Sequence, residues 1–501
     1  MKKTEKIIGW IFFALYAALT LTAVFCHEPW RDELHTWIMA RELSAFELIY
    51  WMRYDGHFAL WHLTLHPFAA AGFPLATLNL VAWALCIVGT GLFFFRTRLP
   101  LWVRCLLLFS CPLFFYYPVV ARPYCLVPLA LYFLTELYPV RLRHPFRYAF
   151  AILFVLYIHS YLAGLAGMLG LFFLIDLIRH YRRFPDPLRL KRIALPPALM
   201  LLGALAAFLM VIPAVGESTV VPKTFGEFFG QDLPRGILRA LSALPANCHA
   251  LQVSDWVPAP AIAVIYWACI LSGLALLWKT CRQMVWIWLG SLLWMLTMSA
   301  MVFPMLMHRG YLPFLFLVFA LGLTPPRKVR KDPPKRLQAA GWAAAAVLTV
   351  LTYPFAWEMF HLDLRHPFSN QGQMAAFIEQ NVPKGTPIVT FPSDLNCATF
   401  TAYLPEHHFH DCGTAKRYRV YQKQGRYPRE LNDAVLYYYS QGSKQPFYLL
   451  FFAQVVNYYG LTPEKLARDF RHFKVEFVYA TDPPAFFPGH EDYCLFKVTP
   501  R

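Results

Sequence analysis

Apolar runs close to the roughly 20 residues needed to cross a bilayer recur along the first 355 residues, among them Ile7–Phe25, Leu75–Phe95, Ile193–Val215, Ala261–Leu277, Val285–Phe303 and Ala339–Phe355. Shorter apolar runs, Leu101–Pro118, Pro123–Tyr138, Tyr148–Ile158, Leu162–Ile178 and Tyr311–Leu323, lie between them. Counting these runs predicts about eleven spans. Gly72-Phe73-Pro74 breaks the stretch from Phe58 to Phe95, which predicts a broken or shallow helix followed by a full span. After Trp357 the pattern changes. Helices are predicted at Gln371–Glu379, Leu395–Tyr403, Glu430–Tyr439 and Pro463–Phe470, and strands at Pro387–Phe391, Pro446–Phe451 and Val475–Tyr479. Such alternation reads as a small α/β domain.

Charge orients this pattern. Only 15% of the residues are charged and 58% are hydrophobic, where a soluble chain carries about a quarter charged. The net charge is +17, and within the apolar part of the chain basic residues collect in short segments: Lys2 to Lys6 before the first run, then Arg96 and Arg98, Arg141 and Arg143, Arg179 to Arg192, and Arg327 to Arg336 between runs. That is the positive-inside distribution of cytoplasmic loops, not a nucleic-acid stripe. The first apolar run is too long for a signal peptide, and no small-residue cleavage site precedes His27. Residues 27–57 then form an external loop, and by parity the tail lies on the same side. The expected organisation is a multi-span domain at 1–356 and an extracytoplasmic α/β domain at 357–501. The eleven cysteines contain no Cys-x-x-Cys pair, and on spacing a Cys397–Cys412 disulfide stays open.

Candidate chemistry collects on the external side. The first loop carries Arg31-Asp32-Glu33 just beyond a span, where ionisable groups are satisfied or functional. A carboxylate there is suited to general-base work, though acids also cap helix starts. Asp55-Gly56-His57 follows at the re-entry, a turn signal that also offers an acid and an imidazole. Arg122 and Tyr124 end the aromatic stretch from Tyr116, His159 sits at the tip of the next hairpin, and His308-Arg309 occupies another external turn. A guanidinium suits bidentate phosphate binding, and also snorkels to interfaces. In the tail, His408 and His410 would share a strand face, as metal ligands do. Clustered surface polarity accounts for them equally. Lys384-Gly385-Thr386 lacks the rest of a phosphate loop.

On these residues the chain resembles the GT-C superfamily of membrane glycosyltransferases, specifically the bacterial branch of protein mannosyltransferases and lipid A aminoarabinose transferases. The resemblance is carried by the first span followed by Arg31-Asp32-Glu33, by Gly56-His57 with Leu60-Trp61, and by the Tyr116–Tyr124 stretch with Ala121-Arg122. It covers roughly the first 180 residues closely, and the rest by architecture. Phe58 stands where relatives often have Pro, and Pro123-Tyr124 stand where many carry an Asp. The resemblance implies a polytopic α-helical membrane protein of the bacterial inner membrane. It also implies a polyprenyl-phosphate-sugar donor, an envelope glycan, lipid or protein acceptor, and contact with membrane lipid but not nucleic acid. Asp32 matches the family's acid and is expected to be catalytic together with Glu33. Asp55, His57, Arg122, Tyr124, His159, His308 and Arg309 are expected to bind substrate. No cofactor is expected, and no ligand motif implies the divalent metal that stays open. A transporter of lipid-linked sugars and a non-catalytic envelope-assembly subunit are the rival readings. Paired inverted repeats and mid-membrane acids, which would favour the transporter, are not seen in the sequence.

Overall fold

A computed structural model describes all residues except 1–2, 184–186, 213–231, 247–258, 303–304, 306, 324–333, 392–397, 412–418, 421–444, 454–463, 465–472 and 487–490. The helices are α1 (Lys3–Cys26), α2 (Arg31–Glu42), α3 (Ala45–Asp55), α4 (Leu60–Ala70), α5 (Thr77–Arg96), α6 (Leu101–Leu108), α7 (Val127–Leu137), α8 (Pro145–Ile158) and α9 (Ala163–Arg183). They continue as α10 (Pro187–Val211), α11 (Asp232–Ala246), α12 (Ala259–Thr280), α13 (Arg282–Met301), α14 (Leu312–Gly322), α15 (Lys335–Val350), α16 (Tyr353–Asp363) and α17 (Gln371–Asn381). Among the described residues, eight helical stretches are long and apolar enough to cross a membrane, and α8 and α14 are shorter apolar helices. The chain is a polytopic α-helical membrane protein with a small C-terminal sheet domain.

The described residues form two compact units, one from those within 1–25, 80–212 and 232–360, the other from those within 26–79 and 361–501. In the first, helix packing uses small residues where backbones meet. A Cβ on Gly89 of α5 would collide with the backbone of Leu129 in α7, the close approach that small residues permit between apolar helices. The run Leu101–Pro118 is not one straight helix. α6 stops at Leu108, and Pro112–Tyr116 form a π-helical turn. Pro112 has no N–H to continue the ladder, and at this interruption the Cys111 N–H donates to Thr352 Oγ1 at 3.0 Å. Satisfaction of a backbone group by a neighbouring segment is what a span within lipid requires.

The second unit joins the first-loop helices α2–α4 to the C-terminal α/β domain. Its five-stranded sheet comprises β1 (Pro387–Phe391), β2 (His408–Asp411), β3 (Phe447–Phe452), β4 (Phe473–Ala480) and β5 (Tyr493–Pro500), in the order β2-β1-β3-β5-β4. β1 pairs in parallel with β2 and β3, while β5 runs antiparallel to β3 and β4. One face is packed by Met374 and Ile378 of α17 with Phe400, Phe409, Leu450 and Leu495, and the other by Val389, Phe451, Phe473 and Phe496. β3 is buried at every position, as a central strand covered on both faces must be.

The predicted strands at 387, 446 and 475 and the helix at 371 form as read. Of Leu395–Tyr403, the described part is a single 3-10 turn, Thr399–Ala402. β5 was not anticipated. The predicted helix 430–439, nearly all of 463–470, and the Cys397–Cys412 pair lie outside the described residues.

Candidate functional site

The first loop opens on a buried charge network. His27, the residue after α1, is surrounded by carboxylates: its Nδ1 donates to Asp363 Oδ2 at 3.0 Å and its Nε2 to Glu33 Oε2 at 3.1 Å. All three side chains are fully buried. Burial pulls the imidazole's pKa down, but the Asp363 and Glu33 carboxylates outweigh it and hold it at about 10. The ring is therefore an imidazolium that uses both N–H groups. Glu33 also accepts from Asn79 Nδ2 and from the Trp30 N–H, each at 3.1 Å. The Trp30 bond is the backward half of a capping box, and it fixes the start of α2.

Two further carboxylates tie this segment to the C-terminal domain. Glu28 accepts the Gly372 N–H at the start of α17, where the helix dipole favours an anion. A Cβ at Gly372 would occupy the position of that carboxylate oxygen. Glu491 Oε2 accepts from Ser369 Oγ at 2.8 Å and from the Arg31 N–H at 3.3 Å. Burial pushes both carboxyls up to about 7. Farther along α2, Arg41 Nη2 donates to the Thr401 carbonyl at 2.9 Å.

Asp32 differs from its neighbour Glu33. Its side chain is 25% exposed and lies 3.8 Å from Arg31 Nε, whereas Glu33 is fully occupied by partners inside the protein. Adjacent residues on a helix point 100° apart, so one carboxylate is turned inward and the other keeps access to solvent. Asp55, at the end of α3, is ringed by imidazoles: His35 Nε2 and His57 Nδ1 at 3.8 Å and His62 Nε2 at 4.0 Å. Gly56 ends α3 with a φ of 70°, which turns the chain so that His57 Nδ1 can reach the Asp55 carbonyl at 3.0 Å. Among the described residues no group of three or more His, Cys, Asp or Glu has metal-site geometry.

A second cluster forms within the other unit. Arg122 ends an extended segment, with φ −117° and ψ 162°, and Pro123 then starts a 3-10 turn. The Tyr124 ring lies 4.9 Å from His159, 4.6 Å from His308 and 5.8 Å from Tyr117, nearly parallel to the last. Tyr117 Oη donates to the His308 carbonyl at 3.1 Å. Arg309 lies 5.8 Å above the Tyr161 ring and within hydrogen-bonding reach of Tyr124. His159 holds the tip of its hairpin by accepting the Tyr161 N–H at 3.2 Å. Arg122, Tyr124, His159 and His308 are all buried, and the Tyr161 ring beneath Arg309 offers that cation a π face.

The sequence-derived candidates therefore fall in two groups, Asp32, Glu33, Asp55 and His57 in one unit, and Arg122, Tyr124, His159, His308 and Arg309 in the other. His27, Glu28, His35, His62, Asp363 and Glu491 escaped the sequence reading. The signal for His27 and Asp363 was present, since each is an ionisable residue at the end of an apolar helix. Glu491 carried no local signal. His408 and His410 do share a face of β2, with ring centroids 6.4 Å apart. Lys384 pairs with Glu379 and Glu406.

This architecture, a multi-span helical body with a small C-terminal sheet domain, has a counterpart among solved structures. The chain is similar over 98% of its length, and over 98% of the other chain, to the crystal structure of ArnT from Cupriavidus metallidurans bound to undecaprenyl phosphate, with a TM-score of 0.52 and 13% identity. No family model and no curated protein matches the sequence.

Proposed function

We propose that the protein is a glycosyltransferase of the bacterial inner membrane that moves a sugar from a polyprenyl-phosphate donor to an envelope glycan, lipid or protein acceptor on the extracytoplasmic face. The observation that carries this reading is the end-to-end likeness of fold to a protein solved with undecaprenyl phosphate. Partial exposure of Asp32, directly after the first span, supports it.

On this reading Asp32 takes the proton from the acceptor hydroxyl. The hydroxyl oxygen bonds to the anomeric carbon as the bond from that carbon to the phosphate oxygen breaks, and polyprenyl phosphate leaves with both electrons. A single displacement inverts the anomeric centre. Arg122 and Arg309 are assigned to the lipid phosphate, whose charge grows as the bond breaks. Tyr124, His159 and His308 hold those cations in place, and Asp55 and His57 line the acceptor side. Glu33 acts by fixing α2, because its carboxylate is spent on His27, Asn79 and Trp30. The test is incubation of purified protein with a panel of radiolabelled polyprenyl-phosphate sugars and envelope extract. Transfer of label with stoichiometric release of polyprenyl phosphate is the expected result.

Arg122→Lys should express normally but bind the donor about tenfold more weakly, since a point charge cannot reproduce a bidentate fork. Binding of a polyprenyl-phosphate sugar to detergent-solubilised protein measures this, and equal affinities would mean that Arg122 only fills space at the hairpin end. Cysteine-accessibility mapping should find Asp32, Arg122, Arg309 and residues after Trp357 reactive from outside, and Arg183 and Lys331 from inside. The basis is the run of basic loops. A cytoplasmic tail would overturn the assignment of the reaction to the outer face.

A further inference from the structure

Neither α2 nor α17 is capped by the side chain at its own N-cap. Trp30 stands there in α2, and an indole has no acceptor for an N–H. Asn370 stands there in α17 but makes no cap bond. Its Nδ2 donates instead to the Pro483 carbonyl at 2.8 Å and to Asp492 Oδ1 at 2.6 Å. The first N–H groups of a helix have no partner within it, and here each helix finds one on the other segment. Glu28, just ahead of α2, accepts the Gly372 N–H of α17. Glu491, from the C-terminal domain, accepts the Arg31 N–H of α2 at 3.3 Å. Both carboxylates stand where a helix dipole favours an anion. Ser369 joins the two starts: its Oγ accepts the Gln371 N–H at 3.3 Å and donates to the same Glu491 Oε2 at 2.8 Å.

We infer that Glu28 and Glu491 are positioning residues: by exchanging caps between α2 and α17 they make the C-terminal domain hold α2, and with it Asp32, in place for the reaction. This inference rests on the reading of Asp32 as the base. The bonds run to backbone N–H groups, so they fix the two helix starts whatever the Arg31 and Asp32 side chains meet. Glu33 closes α2 from within by accepting the Trp30 N–H, and Glu491 attaches the closed helix to the C-terminal domain. The attachment continues along α2, where Leu34 and Ile38 pack on Ala402 and Arg41 Nη2 donates to the Thr401 carbonyl. The junction is tight, since a Cβ on Gly372 would meet the Glu28 carboxylate and then the Tyr403 ring. Burial lifts both carboxyls to about 7, and an acid, a carboxylate or an amide each keeps an oxygen that accepts an N–H. The role therefore belongs to the accepting oxygen rather than to the charge, and glutamine preserves it where alanine does not.

The experiment measures kcat per folded molecule, donor KM, and amide hydrogen exchange along α2 and α17. It compares the full-length protein with Glu28→Ala, Glu28→Gln, Glu491→Ala, Glu491→Gln, Asp32→Asn and Val389→Ala. Each alanine variant at a capping position should lower kcat about tenfold with donor KM unchanged, as displacement of a reacting group does. Exchange should quicken at the start of α17 in Glu28→Ala and at the start of α2 in Glu491→Ala. The glutamine variants keep the acceptor and should stay within about threefold of the parent. Val389 is fully buried in β1, so Val389→Ala loosens the sheet without touching either cap. It should lower the thermal midpoint and leave kcat per folded molecule unchanged. An equal loss of kcat in Val389→Ala, or in glutamine and alanine alike, would overturn the inference. So would faster exchange in the alanine variants with the parent's kcat, beside an inactive Asp32→Asn. Full transfer by Asp32→Asn would instead remove the reading on which the inference rests. If an alanine variant does not fold, Ser369→Ala decides the question, because it removes the hydroxyl that joins the two starts. It should lower kcat about threefold at unchanged donor KM, and an unaltered kcat would count against the inference.

Discussion

Asp32→Asn should cut turnover per folded molecule by about 10²-fold or more, the usual scale for removing a positioned acid–base group. The amide keeps the shape of the side chain, and the carboxylate it replaces is 25% exposed, so folding should survive. Donor binding should survive as well, since the cluster around Arg122 and Arg309 is untouched. Glu33→Gln makes the informative contrast. Its carboxylate is the partner of a buried imidazolium, so its loss should show first in stability and only indirectly in rate. Transfer rate and thermal midpoint measured on both variants separate the two roles. Unchanged turnover in Asp32→Asn would remove the chemical half of the proposed function and leave the fold intact.

His27→Leu should destabilise the unit built from the first loop and the C-terminal domain by about 3–5 kcal/mol, the usual consequence of stripping one partner from a buried ion network. Asp363 and Glu33 would then be buried together without a cation. The double variant His27→Leu/Asp363→Leu should lose less than the sum of its single changes, because the two residues interact directly. The pH dependence has a definite sign. In the folded protein His27 is held at about 10 against an ordinary 6.5. A raised pKa means that its stabilisation is complete below pH 6.5 and is lost as pH rises through about 10. Glu28 and Glu491, raised from 4.5 to about 7, act in the same direction, with a contribution full below 4.5 and lost as pH rises through 7. Thermal unfolding in detergent should therefore show a midpoint that falls as pH rises from about 4.5 to 10, the carboxyls acting up to about 7 and His27 above that. In His27→Leu the part of that fall above pH 8 should disappear, and a midpoint independent of pH in the parent would refute the network's role.

Local pattern was enough to read most of the architecture. A run such as Ile7–Phe25 or Ala261–Leu277 states its own environment, because a span must satisfy its backbone within itself and present apolar side chains to lipid. The strands Pro387–Phe391 and Phe447–Phe452 were legible for a similar reason, being short runs of β-branched, aromatic and leucine residues bounded by turn residues. The pair Asp32-Glu33 could be singled out because ionisable groups directly after a span are satisfied or functional, and Asp32 within it because it matches the acid of the family the chain resembles. Where local pattern fell short, a neighbour completed the element: the helix in the run Leu101–Pro118 is interrupted near Pro112, which has no N–H, and the Cys111 N–H finds its acceptor on Thr352, far along the chain. β5 was passed over because Tyr493–Pro500 mixes buried and half-buried positions without a clean alternation, and its identity comes from pairing with β3 and β4.

The roles of the individual carboxylates were decided by tertiary structure alone. Nothing local distinguishes Asp32 from Glu33. They part because Glu33 faces His27 and Asn79, and His27 faces a residue 336 positions away. Glu28 meets Gly372 across 344 positions, and Arg31 meets Glu491 across 460. Periodicity and composition are set by each segment's own contact with lipid, water or core, so one sequence displays them. Basicity depends on which charges and dipoles lie within a few ångströms, and that neighbourhood exists only after the ends of the chain have been brought together.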